Sequence, residues 1–432
     1  MKKDSRMIQK HTIALGLAFI LATSAFGMDN FHFYRPPFFG ITFGEPRLVE
    51  PYLTSVDIAF GGGSTKKSRG GCCQPCTALL NLHGPFNFQL LGSNVPGKDP
   101  RSQEDIALVE LARTVGRDCF FGYVQYCGKF KLFETQILFT QNFRNGLFTQ
   151  IGLPIRHMAL CNVGFEDLTP RNCPCPCRDT RTWQSFLALY DKILAHYNLN
   201  VDGFKKTNIG DLSWIIGWGS NYQDMRVLDY VDLDFKLGMV FPTGKKQNVN
   251  SAFDIPSGYG GHLGFGASFD FAVGVYNWLT FGGYGGAIAF TDKTRDIRMK
   301  TDIRQNGFIK LAKGCATVEK GTIWYAGAFG KLDHIAEGFS LLAGYSFCAQ
   351  QKDMLHPENT HYFNPTAANC DLTLQGWDMH TLHLLADYDC ARALHRFSPR
   401  VGIFANINMG GEHVFKLHMA GGTFGFDISY EY

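Results

Sequence analysis

Gly422-Thr423-Phe424-Gly425-Phe426-Asp427-Ile428-Ser429-Tyr430-Glu431-Tyr432, the last eleven residues, divide by parity. Phe424, Phe426, Ile428, Tyr430 and Tyr432 fall on one side, and Gly425, Asp427, Ser429 and Glu431 on the other. Successive side chains of an extended chain point to opposite faces, so the segment reads as a strand with one aromatic and one polar face. An uncovered aromatic edge strand templates pairing with other chains, so such a face needs a neighbour or a lipid. Just upstream the apolar parity changes, because Phe415, Leu417 and Met419 are odd-numbered. Either a β-bulge at Gly421-Gly422 restores one continuous face, or the earlier segment stands above the rest of the strand.

The same alternation recurs. From Val227 to Phe241 one parity holds Val227, Asp229, Val231, Leu233, Phe235, Leu237, Met239 and Phe241, with Asp232, Asp234 and Lys236 between them. Three charges would be badly placed in a strand buried on both faces. From Leu263 to Val275, Leu263, Phe265, Ala267, Phe269, Phe271, Val273 and Val275 alternate with Gly264, Gly266, Ser268 and Asp270. Leu147, Thr149, Ile151, Leu153 and Ile155 alternate with Gln150 and Arg156, although Pro154 has no amide to donate and implies a rim or an irregular ladder.

Connections alternate in length too. Short ones fall at 142–146, 221–224 and 276–278, and long polar ones at 62–119, 161–208, 242–259, 292–321 and 352–374. This register predicts strands at 52–61, 121–141, 146–160, 209–221, 226–241, 260–276, 278–291, 322–334, 338–350, 375–389, 398–409 and 413–432. The fold class expected is all-β, an antiparallel up-and-down transmembrane β-barrel of about 12 strands, with 10 and 14 the neighbouring even counts. Residues 294–314 read as a strand extension above the membrane, and 100–118 and 179–198 as short loop helices. In the second helix Trp183, Phe186, Leu187, Tyr190, Leu194 and Tyr197 recur at spacings of three and four, a face suited to packing on or inside the barrel mouth or to a partner.

Composition agrees. The chain has 48 Gly, 38 Phe and 17 Tyr with only 18% charged residues, which suits many short strands with aromatic faces and tight turns. Residues 1–27 read as a signal peptide: a basic start (Lys2, Lys3, Arg6, Lys10), an apolar run from Thr12 to Ala22, and a small-residue exit predicting cleavage before Met28 or Phe26. The alternative is an uncleaved anchor. No later stretch is apolar for the 18 or so residues that a membrane helix requires. The formal charge is +3, all of it supplied by the leader's four basic residues and Asp4, so the rest of the chain sits near zero and nothing points to nucleic acid. Residues 28–51 would be a periplasmic or lumenal segment, and 52–432 the barrel, with its longest external loops at 62–119 and 161–208.

The closing strand resembles the C-terminal signal of bacterial outer-membrane barrels, which ends in an aromatic residue and is recognised by the barrel-assembly machinery. Phe424, Phe426, Ile428, Tyr430 and Tyr432 carry that resemblance. It implies an outer-membrane location in a Gram-negative-type bacterium after leader cleavage, with outer-membrane lipid, lipopolysaccharide and the assembly machinery as partners. The whole chain is porin-like in architecture, which implies a channel or passive transporter for an unidentified small solute. The inward parity would line the pore with Glu134, Gln136, Gln150, Arg156, Asp232, Asp234, Lys236, Ser268, Asp270, His383 and Asp387. The alternatives are an uptake barrel for hydrophobic compounds, plugged by the Phe- and Pro-rich segment 28–51, and a surface anchor or adhesin with stapled loops.

Chemistry-bearing motifs are few. Cys72, Cys73 and Cys76, with Cys173, Cys175 and Cys177, fall in the two longest loops. Close thiolates can hold a soft metal, but no zinc-site spacing is completed, and in an oxidising compartment disulfides are the expectation. No metal or cofactor is expected. Gly61-Gly62-Gly63-Ser64 with Lys66, Lys67 and Arg69 lacks the ending of a phosphate loop and reads as a basic external loop able to touch lipopolysaccharide. Outer-membrane phospholipases place His and Ser in a His-x-Ser-Asn-Gly motif that is absent here. His262, His380 and His383 have no Ser at a recognisable spacing, so no enzymatic activity is expected.

Overall fold

The computed structural model describes residues 52–70, 77–95, 102–113, 122–169, 181–223, 228–276, 278–336, 338–389 and 397–429, with Asn277 and Glu337 the single-residue gaps. The leader, segment 28–51, the six loop cysteines named above, Tyr430 and Tyr432 lie outside the described residues. Among those described, no helix is long and apolar enough to cross a membrane.

Twelve strands form the wall: β1 (Leu53–Thr65), β2 (Tyr123–Asn142), β3 (Leu147–Asp167), β4 (Leu212–Gln223), β5 (Tyr230–Phe241), β6 (Gly264–Tyr276), β7 (Leu279–Phe290), β8 (Ile323–Ala336), β9 (Phe339–Gln350), β10 (Trp377–Asp389), β11 (Phe397–Glu412) and β12 (Met419–Ser429). Each pairs antiparallel with its sequence neighbours, and β12 pairs with β1, so the sheet closes into a barrel with no free edge. The strand count and order match the sequence expectation. Several strands run longer than expected. β1 reaches Thr65 and β3 reaches Asp167, because their ends at the long-connection side still pair with β2.

Period-two alternation sorts the side chains. Phe133, Ile151, Trp214, Phe235, Phe265, Phe281, Trp324, Leu384 and Phe424 all point outward and are exposed, with Leu237 and Ile403 reaching 67% and 70%. A continuous apolar belt of this size on a soluble surface would bind or aggregate; in lipid it is the favoured face. The opposite parity is buried. Aromatic side chains fill gaps left there by glycine: Tyr284 on β7 lies across Gly327 on β8, where a Cβ would stand 2.1 Å from the ring and its hydroxyl.

The parity change near Gly421 needs no bulge. The β12 pairing with β1 and with β11 runs without a register shift from Met419 to Ile428, so odd residues face inward throughout. Met419 and Leu417 are buried, as are Gly425 and Asp427. What changes along the strand is the interior it meets: apolar at the long-connection end and charged towards the other. The sequence pattern reversed because the core reversed, not the backbone.

At the long-connection end the loops fold into a lid. Two helices, α1 (Gln103–Arg113) and α2 (Arg181–His196), pack with residues 79–95. Trp183, Phe186, Tyr190, Ile193 and Leu194 of α2 are buried in one apolar cluster with Phe86, Phe88, Phe253 and the inward residues Tyr126, Phe130, Met158 and Leu160 of β2 and β3. The Tyr126 and Tyr190 hydroxyls meet at 2.7 Å. The helical face read from the sequence thus closes on the barrel mouth. The segment 294–314 does not extend the wall strands in one sheet; only its ends are extended, with Lys293–Arg298 and Lys313–Glu319 pairing with each other, and the latter with Met354–Pro357, in a separate three-stranded sheet.

Candidate functional site: the barrel interior

All eleven sequence-selected lining residues fall on the inward parity. Arg156 is 1% exposed, and Glu134, Gln136, Gln150, Asp234, Lys236, Ser268 and His383 are also buried, with Asp232, Asp270 and Asp387 half-buried. Several of them are held in ion pairs with one another: Arg156 with Glu134, and Lys236 with Asp234 and Asp270.

The charges are arranged in clusters. Arg156 Nε lies 3.3 Å from Glu134 Oε2 across the β2–β3 pair, and its Nη1 donates to the Ser257 carbonyl. Lys236 bridges Asp270 on the next strand and Asp234 on its own. Near the short-connection end Arg400 donates to Asp57 at 2.9 Å and Asp427 at 3.0 Å, reaching over Gly425 to join β11 to β1 across β12. This clasp spans the seam where the sheet closes. On the inward face carboxylates outnumber cations: Asp57, Glu134, Asp232, Asp234, Asp270, Asp333, Asp387 and Asp427 stand against Arg156, Lys236, Lys331 and Arg400.

Sequence reasoning missed two groups that shape this interior. Opposite Pro154 the wall is irregular, as expected: β3 pairs with Phe204–Ile209 above and with β4 below, and Gly210 donates to the Pro154 carbonyl at 2.7 Å. In that break sits Asp211, whose carboxylate accepts the backbone amides of Gly244 at 2.7 Å and Tyr259 at 2.5 Å. It pins the β5–β6 loop against the wall, where Ser257 reaches Arg156. Arg298 is the second: its guanidinium donates to the carbonyls of Tyr197, Asn198, Val249, Lys310 and Leu311, tying α2 to two other loops. A Gly-Asp after a strand and one Arg among many carry no distinguishing sequence signal.

Within the lid, His83 stacks on His413 with ring centroids 5.3 Å apart and meets Phe308 edge-on at 5.1 Å. Among the described residues, neither ring nitrogen of His83 has a hydrogen-bond partner. Burial, then the neighbouring His413, push its pKa down to about 3; Asp371 opposes and Lys310 assists.

No family profile and no curated protein matches the sequence. Among solved structures, the chain is similar to an outer membrane channel from Pseudomonas putida F1, at 8% identity and a TM-score of 0.44, over 90% of this chain and all of that one. It is also similar to the NanC porin, at 8% identity and 0.32 over 69% of this chain and 94% of that one. A Pseudomonas aeruginosa FadL homologue matches at 10% identity and 0.30, over 88% and 91%. These are barrels of the outer-membrane type, too distant to argue a solute or a mechanism.

Proposed function

We propose that the chain is an outer-membrane channel or passive transporter for small polar solutes, delivered by its leader and seated among lipid and lipopolysaccharide by the barrel-assembly machinery. The observation that carries this reading is the pairing of an apolar outer belt with a charged inner face on one closed sheet. The excess of interior carboxylates favours cations and neutral solutes over anions. The apolar lid at one mouth supports a second reading, uptake of hydrophobic compounds, because its aromatic cluster offers such a molecule a first contact. The loop cysteines leave room for a third, a surface anchor stapled by disulfides.

Planar-bilayer recording separates these. A channel gives discrete current steps whose reversal potential in a salt gradient shows cation preference. A silent protein that instead binds a hydrocarbon probe supports the uptake barrel, and silence with no binding leaves the anchor.

A further inference from the structure

Ser346, His383 and Asn406 stand on three neighbouring strands, β9, β10 and β11, all on the inward parity. Ser346 Oγ lies 2.6 Å from His383 Nε2, and His383 Nδ1 lies 2.7 Å from Asn406 Oδ1. An amide oxygen can only accept, so the ring proton sits on Nδ1, and the serine hydroxyl donates to the free lone pair on Nε2. A nucleophile within reach of a base, and a base oriented by a third group, is the arrangement that activates serine for acyl transfer; it is recognised by geometry and not by sequence spacing.

Two further groups point the same way. Among the described residues, Thr381 Oγ1 and Asn406 Nδ2 have no hydrogen-bond partner, and both residues are 2% exposed. Buried polar atoms are ordinarily satisfied, so a pair left over beside one serine marks a place for a ligand oxygen. Thr381 is the direct cross-strand partner of Ser346, and Asn406 that of His383, so both share the serine's patch of wall. A β-bulge between His380 and Thr381 interrupts the ladder just above. Gly327 lets Tyr284 cross from β7 and bring its hydroxyl to Ser346. Around the cluster the inward face is apolar, with Leu342, Cys348, Leu385 and Phe404 buried, while Ser346 itself keeps partial exposure.

We infer that Ser346, His383 and Asn406 form an acyl-transfer site inside the barrel that hydrolyses carboxylic esters with a short apolar acyl group. Ser346 Oγ attacks the ester carbonyl carbon while its proton passes to His383 Nε2, and the carbonyl oxygen takes negative charge beside the Thr381 and Asn406 donors. Collapse breaks the ester C–O bond, and His383 returns the proton to the departing alkoxide. Water then attacks the acyl-serine, losing a proton to His383, and the serine leaves with that proton; ester and water become acid and alcohol. Asn406 is a positioning residue that fixes the ring and its tautomer. The site is independent of the transport reading, since a barrel that conducts nothing can still hydrolyse.

The test uses the purified full chain, its folding checked by a heat-dependent gel shift, with diisopropyl fluorophosphate as covalent probe and p-nitrophenyl butyrate as substrate. The expected result is one phosphoryl adduct, mapped by mass spectrometry to Ser346, and ester hydrolysis that S346A abolishes. H383Q should slow both by at least about a hundredfold. N406A should slow both, and N406D, which restores an acceptor for Nδ1, should recover the rate, whereas a merely structural Asn would show no such recovery. Folded wild-type protein that acquires no adduct at Ser346, or labels equally fast in H383Q, overturns the inference. Mapping the adduct on wild type decides the matter even where a variant fails to fold.

Discussion

Ile403→Arg separates a lipid-facing belt from a water-facing one. Ile403 is 70% exposed at mid-height on β11, opposite Ala386 on β10 and Gly422 on β12. On a soluble protein an exposed Ile→Arg change away from any contact shifts stability by about 0.5 kcal/mol or less. If that face meets hydrocarbon, an arginine near the bilayer midplane costs about 2–4 kcal/mol, falling to about 0–1 near the interfaces. At about 1.4 kcal/mol per tenfold, the folded-to-unfolded ratio falls by a factor between about 30 and 1,000. Leu237→Arg on β5, 67% exposed, should behave alike. Tyr276→Arg, 58% exposed at the β6 end beside a turn, should cost little. The assay is reversible guanidinium unfolding in phospholipid vesicles, followed by tryptophan emission. Ile403→Arg within about 0.5 kcal/mol of wild type, with Leu237→Arg equally silent, would refute the lipid-facing assignment.

Other predictions follow from the clusters. Arg400→Met leaves Asp57 and Asp427 buried and uncompensated at the closure seam, a loss of about 3–5 kcal/mol that adding Asp57→Asn and Asp427→Asn should largely recover in the same unfolding assay. Asp211→Ala removes the acceptor of two backbone amides, each worth about 1–3 kcal/mol when orphaned, and should open the β5–β6 loop to trypsin at Lys245 and Lys246 without unfolding the barrel. Unchanged cleavage would show that the loop is held elsewhere. The lid should loosen in acid, because His83 binds a proton below about 6.5 when unfolded but only near 3 when buried against His413, with Lys310 and Asp371 nearby. Stability is therefore full above pH 6.5 and is lost progressively down to about 3, at up to about 1.4 kcal/mol per pH unit. The opening free energy of residues 79–95, taken from hydrogen exchange after dividing out the pH-dependent intrinsic rate, should fall between pH 7.5 and 5, and His83→Phe should flatten that fall; an identical fall in the variant would assign the pH effect to another group.

The wall was legible because its signal is local. Period-two alternation in segments such as Leu263–Val275, and short connections alternating with long ones, need no knowledge of distant contacts, and they yielded twelve strands in the observed order. What stayed hidden depends on residues far apart in the chain. The charged run Asp232, Asp234 and Lys236 reads from the sequence as pore lining, yet Lys236 is held between Asp234 and Asp270 in a buried cluster. Phe415, Leu417 and Met419 suggested a bulge because the sequence does not say that loops supply an apolar core above the charged interior. Ser346 and His383 are 37 residues apart and meet only through the β9–β10 register, so no short His–Ser motif marks them in the sequence.

Quenching by brominated lipids puts the central claim, a closed barrel with an apolar outer wall in lipid, to its most direct test. Trp214, Trp218 and Trp324 face outward and are exposed, whereas Trp183 and Trp377 are fully buried within. Single-tryptophan variants, reconstituted into vesicles whose acyl chains carry bromine, should lose most of their emission when the remaining ring is Trp214 or Trp324. They should keep it when the ring is Trp183 or Trp377. Equal quenching of both classes, or none of the outward rings quenched, would contradict the account.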